Sequence, residues 1–106
     1  MRQDLKLEKG KACSQSAHAA VECVLRSEKN KVNEWRKEGM PKIVLKVKDL
    51  KEMQNYNQLA KDIGLITSLI TDAGRTVVEP GTITCLCIGP DDNKKIDSII
   101  KDLKLY

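Results

Sequence analysis

Three polar residues near the N-terminus have the types and the spacing to act on an anionic or ester substrate: Lys11, Gln15 and His18. A helix would place them along one side, because they lie four and then three residues apart. Gly10 precedes Lys11, and a helix that begins there offers free N–H groups that attract anions. Taken singly, Lys11 could be a solvated lysine and His18 a core histidine, so the set is a candidate site.

A second polar segment joins two predicted strands and contains Asp72, Thr76, Thr82 and Thr84. Asp72 ends the first of these strands and Thr84 begins the second, so their side chains can approach each other. A carboxylate beside hydroxyl groups can position and activate a water molecule. A turn with purely local hydrogen bonds would use the same residue types, and the spacing alone leaves both interpretations open.

Several common kinds of site are disfavoured by what the sequence lacks. A phosphate-binding G-x-x-x-x-G-K-[ST] loop would need Gly at position 5 and Ser or Thr at position 12, where Leu5 and Ala12 stand. There is no G-x-S-x-G motif, and the single histidine has no evident Ser or Cys partner. The four cysteines form no C-x-x-C pair, so no metal site is expected.

Charge is spread unevenly along the chain. Residues 1–48 hold twelve Lys/Arg and six Asp/Glu, a net charge of +6, whereas residues 49–106 have a net charge of −2. A basic half suits a polyanionic partner such as a nucleic acid, although a solvated lysine-rich surface explains the charge equally well. Lys46 is a further cation inside an apolar run, where its ammonium must reach the rim of the fold or meet an anion.

The length and the absence of long apolar runs bound the fold and location. The 106 residues suit a single domain spanning 1–106, and no run reaches the roughly 18 apolar residues of a membrane span. The N-terminus is polar and has no signal-peptide pattern, so we expect a cytoplasmic protein without a membrane partner. Free, buried thiols are expected for Cys85 and Cys87.

The periodicity of apolar residues predicts an alternation of strands and helices. Strands are expected at 1–5, 43–47, 65–71 and 82–88, and helices at 11–27, 31–38, 49–63 and from 90 onwards. Strands that are apolar on both faces need helices on both sides. The sequence therefore predicts an α/β fold: a single-domain three-layer α/β/α sandwich with a small mixed, mostly parallel sheet of about four strands. The short loop after 71 indicates one antiparallel neighbour.

These motifs together resemble the peptidyl-tRNA hydrolase type 2 family, the archaeal and eukaryotic form. The resemblance covers nearly the whole chain and is carried, in order, by Arg2-x-Asp4-Leu5, Gly10-Lys11-x-x-x-Gln15-x-x-His18-Ala19, K-I-V-L-K-V at 42–47, Asp72-Ala73-Gly74-x-Thr76, Pro80-Gly81-Thr82-x-Thr84 and Ile88-Gly89-Pro90. The first predicted strand is short beside those of family members, and Ala17 stands where some members have Ser.

The resemblance implies an enzyme that cleaves the ester between a peptide and the 3′ ribose of tRNA, without a metal or organic cofactor and commonly as a homodimer. It implies active-site positions for Lys11, Asp72, Thr76 and Thr84. It also implies that Gln15, His18 and Lys46 line the same cleft, and Arg75 is expected to bind substrate.

These assignments lead to an expected mechanism and leave one rival hypothesis. Lys11 is expected to stabilise negative charge on the ester oxygen, and Asp72 to orient or deprotonate water, with His18 as a second candidate base. The rival hypothesis is a noncatalytic module that binds tRNA or protein and retains the fold. Asp72 favours the enzyme, because a carboxylate would repel the phosphates that a pure binder must hold.

Overall fold

A computed structural model describes residues 1–73 and 79–106. In chain order the elements are α1 (Lys9–Arg26), α2 (Lys29–Lys37), β1 (Leu45–Lys46), α3 (Leu50–Asp62), β2 (Thr67–Thr71), β3 (Ile83–Ile88), α4 (Asn93–Ile100) and β4 (Lys104–Leu105). The predicted α/β class is confirmed. None of the helices in these residues has the length and apolar character needed to cross a bilayer.

Helix α1 packs against β2 and β3 through a narrow stripe of small side chains. Its buried residues are Ala12, Gln15, Ala19 and Cys23, spaced three or four apart. Together with Met1, Ile70 and Cys85, the two alanines form the hydrophobic core. Val21 and Leu25 of the same helix lie outside this stripe, since they are 57% and 74% exposed.

Helix α3 begins with a capping interaction at Asp49. The Asp49 carboxylate accepts a hydrogen bond from the Glu52 N–H at 3.0 Å, and Glu52 in turn accepts one from the Lys48 N–H at 3.2 Å. Met53 and Ala60 form the buried part of the helix, which packs against β3 and α4. The helix ends before Gly64, whose positive φ of 81° suits a residue without a Cβ.

The strands pair mainly in the antiparallel sense. β2 and β3 form one antiparallel pair, with an irregularity between Ile70 and Thr71, and β1 and β4 form another. The antiparallel connection between 65–71 and 82–88 was predicted and is confirmed. The mostly parallel sheet of about four strands was wrong for the described residues, in which the parallel component is the single bridge between Arg2 and Val47.

The N-terminal residues link the two pairs of strands. The Val47 N–H donates to the Met1 carbonyl at 2.9 Å, and the Arg2 N–H donates to the Thr84 carbonyl at 3.2 Å. The three-layer prediction also assumed burial on both faces of 43–47, whereas Ile43 is 60% exposed. Strand β4 was missed because its two exposed residues carry no periodic signal.

Candidate active site

The start of α1 and the end of β2 meet at an ion pair between Lys11 and Asp72. Lys11 is the third residue of its helix, and the first turn contains no acidic residue to balance the positive end of the helix dipole. The negative partner comes instead from 61 residues further along the chain, where Asp72 accepts a hydrogen bond from Lys11 Nζ. A sequence-distant carboxylate therefore compensates a cation that its own helix disfavours.

The two charged side chains differ in their exposure. The Asp72 side chain is 1% exposed, whereas that of Lys11 is 18% exposed. The backbone of Asp72 is fixed by a hydrogen bond from its N–H to the Thr82 carbonyl at 2.8 Å, and its carbonyl accepts from the Gly81 N–H at 3.2 Å. The Asp72 carboxylate is therefore buried on a fixed backbone. The Lys11 ammonium is the member of the ion pair that solvent reaches.

One helical turn after Lys11, the side chain of Gln15 reaches strand β3. Thr84 is completely buried and its hydroxyl donates to Gln15 Oε1. The neighbouring Cys85 thiol donates to the Gln15 carbonyl at 3.3 Å. Burial raises the pKa of the Cys85 thiol and so favours the protonated form that can donate. Gln15 is thus held by its side chain and by its backbone.

The other predicted site residues lie apart from these two contacts. His18 is exposed and lines a shallow pocket of about 210 Å³ with Glu22 and Arg26 on α1 and with residues 68–71 of β2. Lys46 is half-buried in β1, and neither a hydrogen bond nor an ion pair links it to Lys11 or Asp72. Arg75 and Thr76 lie outside the described residues, so their predicted roles are not addressed by the structure.

The geometry brings together four of the predicted residues: Lys11, Gln15, Asp72 and Thr84. The contact that sequence reasoning missed is the one from Cys85, and the only signal for it was its position next to Thr84. No group of three or more His, Cys, Asp or Glu side chains placed to hold a metal ion occurs in residues 1–73 and 79–106. The arrangement offers a cation and a carboxylate in direct contact, with an amide one turn away.

Comparison with known proteins identifies the family that this chain resembles. The family model described as Peptidyl-tRNA hydrolase PTH2 matches residues 1–106. A peptidyl-tRNA hydrolase from Thermoplasma acidophilum is 46% identical over 99% of this chain and 92% of its own length. Proteins of the same name from Methanothermobacter thermautotrophicus and Methanopyrus kandleri are 44% and 47% identical over 99% of this chain, covering 94% and 92% of their lengths.

The chain belongs to the peptidyl-tRNA hydrolase PTH2 family. The family predicted from the motifs is confirmed, and with it the class of enzyme, a hydrolase of peptidyl-tRNA.

Proposed function

We propose that Lys11 and Asp72 are the catalytic pair with which this chain hydrolyses the ester between a peptide, or an N-blocked amino acid, and the 3′ ribose of tRNA. The observation that carries the proposal is their ion pair, which joins the first turn of α1 to the end of β2. A purely binding protein that holds phosphates gains nothing from a buried carboxylate against its lysine, because the carboxylate cancels the cation.

The reaction follows from the chemistry of the two groups. Water attacks the ester carbonyl carbon and its proton passes to Asp72. The bond to the ribose 3′ oxygen then breaks, and that oxygen takes the proton back from Asp72, which regenerates the carboxylate. The Lys11 ammonium stabilises the negative charge that develops on the carbonyl oxygen. The products are a free peptide carboxylate and tRNA, and no covalent intermediate with the protein is formed.

The low exposure of Asp72 indicates the order in which the two groups act on the substrate. Asp72 is 1% exposed, so water does not reach its carboxylate freely while Lys11 lies against it. We expect the Lys11 ammonium to turn towards the ester oxygen when substrate binds, which opens the carboxylate to the attacking water. His18 is exposed on the same helix and is the alternative base.

The remaining assignments rest on the family resemblance. We propose that Thr76 supports the catalytic carboxylate, that Arg75 and Lys46 contact the substrate, and that the protein acts in the cytoplasm as a homodimer. The tRNA acceptor end is the proposed partner, in agreement with the net charge of +6 in residues 1–48.

The proposed activity is tested by incubating the purified protein with an N-acetyl-aminoacyl-tRNA in the presence of a metal chelator. We expect release of free tRNA, and we expect Lys11→Met to abolish most of it. Lys9→Met is the matched control, because Lys9 lies in the same turn of α1 and is exposed. Tight tRNA binding without release would instead support the noncatalytic module.

A further inference from the structure

Strand β3 holds Gln15 of α1 by two hydrogen bonds, close in sequence to Lys11 of the catalytic pair. Gln15 is 6% exposed although it carries an amide, and it lies four residues after Lys11 on the same side of the helix. Thr84 binds its side chain, and the Cys85 thiol binds its backbone carbonyl at 3.3 Å. Two successive residues of one strand thus fix a single glutamine.

The hydroxyl of Thr84 determines how the amide of Gln15 is turned. Its two oxygen neighbours are Gln15 Oε1 and, at 3.4 Å, the carbonyl of Ile70. Both are acceptors, and a hydroxyl has one proton to give. The proton goes to the closer oxygen, Gln15 Oε1. The amide nitrogen, Nε2, is therefore turned away from Thr84.

That nitrogen is left as an available donor. Gln15 Nε2 makes no hydrogen bond to any described residue. The buried side-chain atoms that lack a partner in the same residues are Asn57 Oδ1 and Ser68 Oγ, and Gln15 Nε2 is not among them. A donor that lacks a partner among the described residues and is not fully buried is open to solvent, on the side of α1 that also carries Lys11.

We propose that Gln15 Nε2 donates a hydrogen bond to the ester carbonyl oxygen as negative charge develops there, and that Thr84 is a positioning residue that turns the amide for this purpose. This assignment rests on the proposed function of Lys11 and Asp72. It gives the developing oxyanion two donors from one face of α1, the ammonium of Lys11 and the amide one turn later.

The burial of Thr84 favours an indirect role in the reaction. None of its surface is exposed, and its hydroxyl proton is already given to Gln15. We therefore expect any effect of Thr84 on the reaction to pass through a neighbour. Gln15, one turn after Lys11 on the same side of α1, is that neighbour.

The two residues should differ in the size of their effect. An amide donor to an oxyanion is worth about a hundredfold in kcat or more, so Gln15→Met should lower kcat by about 100-fold with little change in KM. Thr84→Val keeps the shape but removes the proton, so the amide is no longer held in one orientation. We expect a loss in kcat of about tenfold, which corresponds to one hydrogen bond.

The test is a double-mutant cycle on kcat and KM with thermal melts, using Gln15→Met, Thr84→Val and the double variant. The double variant should be no slower than Gln15→Met, because Thr84 has nothing left to position. Thr84→Ser retains the hydroxyl and should restore most of kcat. Gln54→Met, on exposed α3 surface, and Thr67→Val, at the far end of β2, are the matched controls.

Three outcomes overturn the assignment: multiplicative losses in the double variant, a change confined to KM, or a well-folded Thr84→Ser that is as slow as Thr84→Val. If Thr84→Val unfolds at the assay temperature, Gln15→Met alone decides, and an unchanged kcat refutes the proposal. Lys11→Met, assayed in parallel, distinguishes failure of the proposed function from failure of the role assigned to Gln15. Full activity of Lys11→Met would sink the proposed function, whereas its loss beside an active Gln15→Met sinks only the role of Gln15.

Discussion

At the scale of single residues, the site depends on charges placed where the local structure disfavours them. A lysine in the first turn of a helix faces the positive end of the dipole, and a carboxylate that is 1% exposed loses most of its hydration. Each of these costs is offset by the other group. In the mechanism that we propose, the developing negative charge of the substrate takes the place of Asp72 at the Lys11 ammonium.

The same scale shows which site residues the sequence could identify. Lys11 and Gln15 were selected because helical spacing places them on one side of α1, and in the structure they contact Asp72 and Thr84, which the motifs also selected. The burial of Thr84 could not be read from spacing. It depends on how α1 packs over β3, a contact between residues 69 positions apart.

At the scale of elements, a second ion pair ties α2 to the turn before α4. Lys31 Nζ lies 2.6 Å from Asp91 Oδ2, and Asp91 Oδ1 accepts from the Asp92 N–H at 2.6 Å. Burial opposes ionisation of Asp91, but the hydrogen bonds from Lys31 and from the Asp92 N–H outweigh it, so the pKa of Asp91 is lowered. Because α2 has no buried residue of its own, this pair is a principal attachment of the helix.

Acid should weaken this attachment. A carboxylate whose pKa is lowered on folding stabilises the fold above its unfolded pKa of about 4, and this contribution is lost as pH falls through the folded value. Asp91→Asn should therefore lower Tm at neutral pH, by about 4 °C for each kcal/mol lost, and the difference from wild type should shrink below about pH 4. Thermal melts across pH measure it, with the exposed Asp102→Asn as control. A difference that is constant with pH would contradict the ionised pair.

The element scale also shows where sequence reasoning about the fold stopped. All four helices were predicted, because amphipathic periodicity and the Asp49 cap are local signals. The sheet was not, because strand direction is set by contacts between distant residues. Strand β4, for example, pairs with β1 across some 60 residues and has no apolar alternation.

At the scale of the whole molecule, the proposed contact with tRNA rests on the uneven distribution of charge. The excess positive charge lies in residues 1–48, which contain α1, α2 and β1. Contacts to phosphates release counterions, so affinity for tRNA should fall steeply as salt rises. Lys31, one of the lysines in this half, is held by Asp91. The neighbouring Lys29 is exposed and is the better candidate.

Substitution of these two neighbouring lysines tests the electrostatic contact. Lys29→Ala should raise KM more than it lowers kcat, and should reduce the slope of log affinity against log salt by about 0.7 to 0.9. Lys31→Ala should change that slope less, because its charge is already neutralised within the protein. Affinity measured between low and moderate salt gives both slopes. Salt-independent binding by the wild type would rule out docking through phosphate contacts.

A double-mutant cycle on kcat tests most directly whether Lys11 and Asp72 act together on the transition state. Asp72→Asn keeps the size of the side chain, and it and Lys11→Met should each lower kcat by about two to three orders of magnitude. Asp102→Asn and Lys9→Met, at exposed positions, should leave it unchanged. The combined loss should be smaller than the product of the single losses, because each group depends on the other. Near-wild-type turnover in a well-folded Asp72→Asn would contradict the account and move the base to His18 or to a hydroxyl of the substrate.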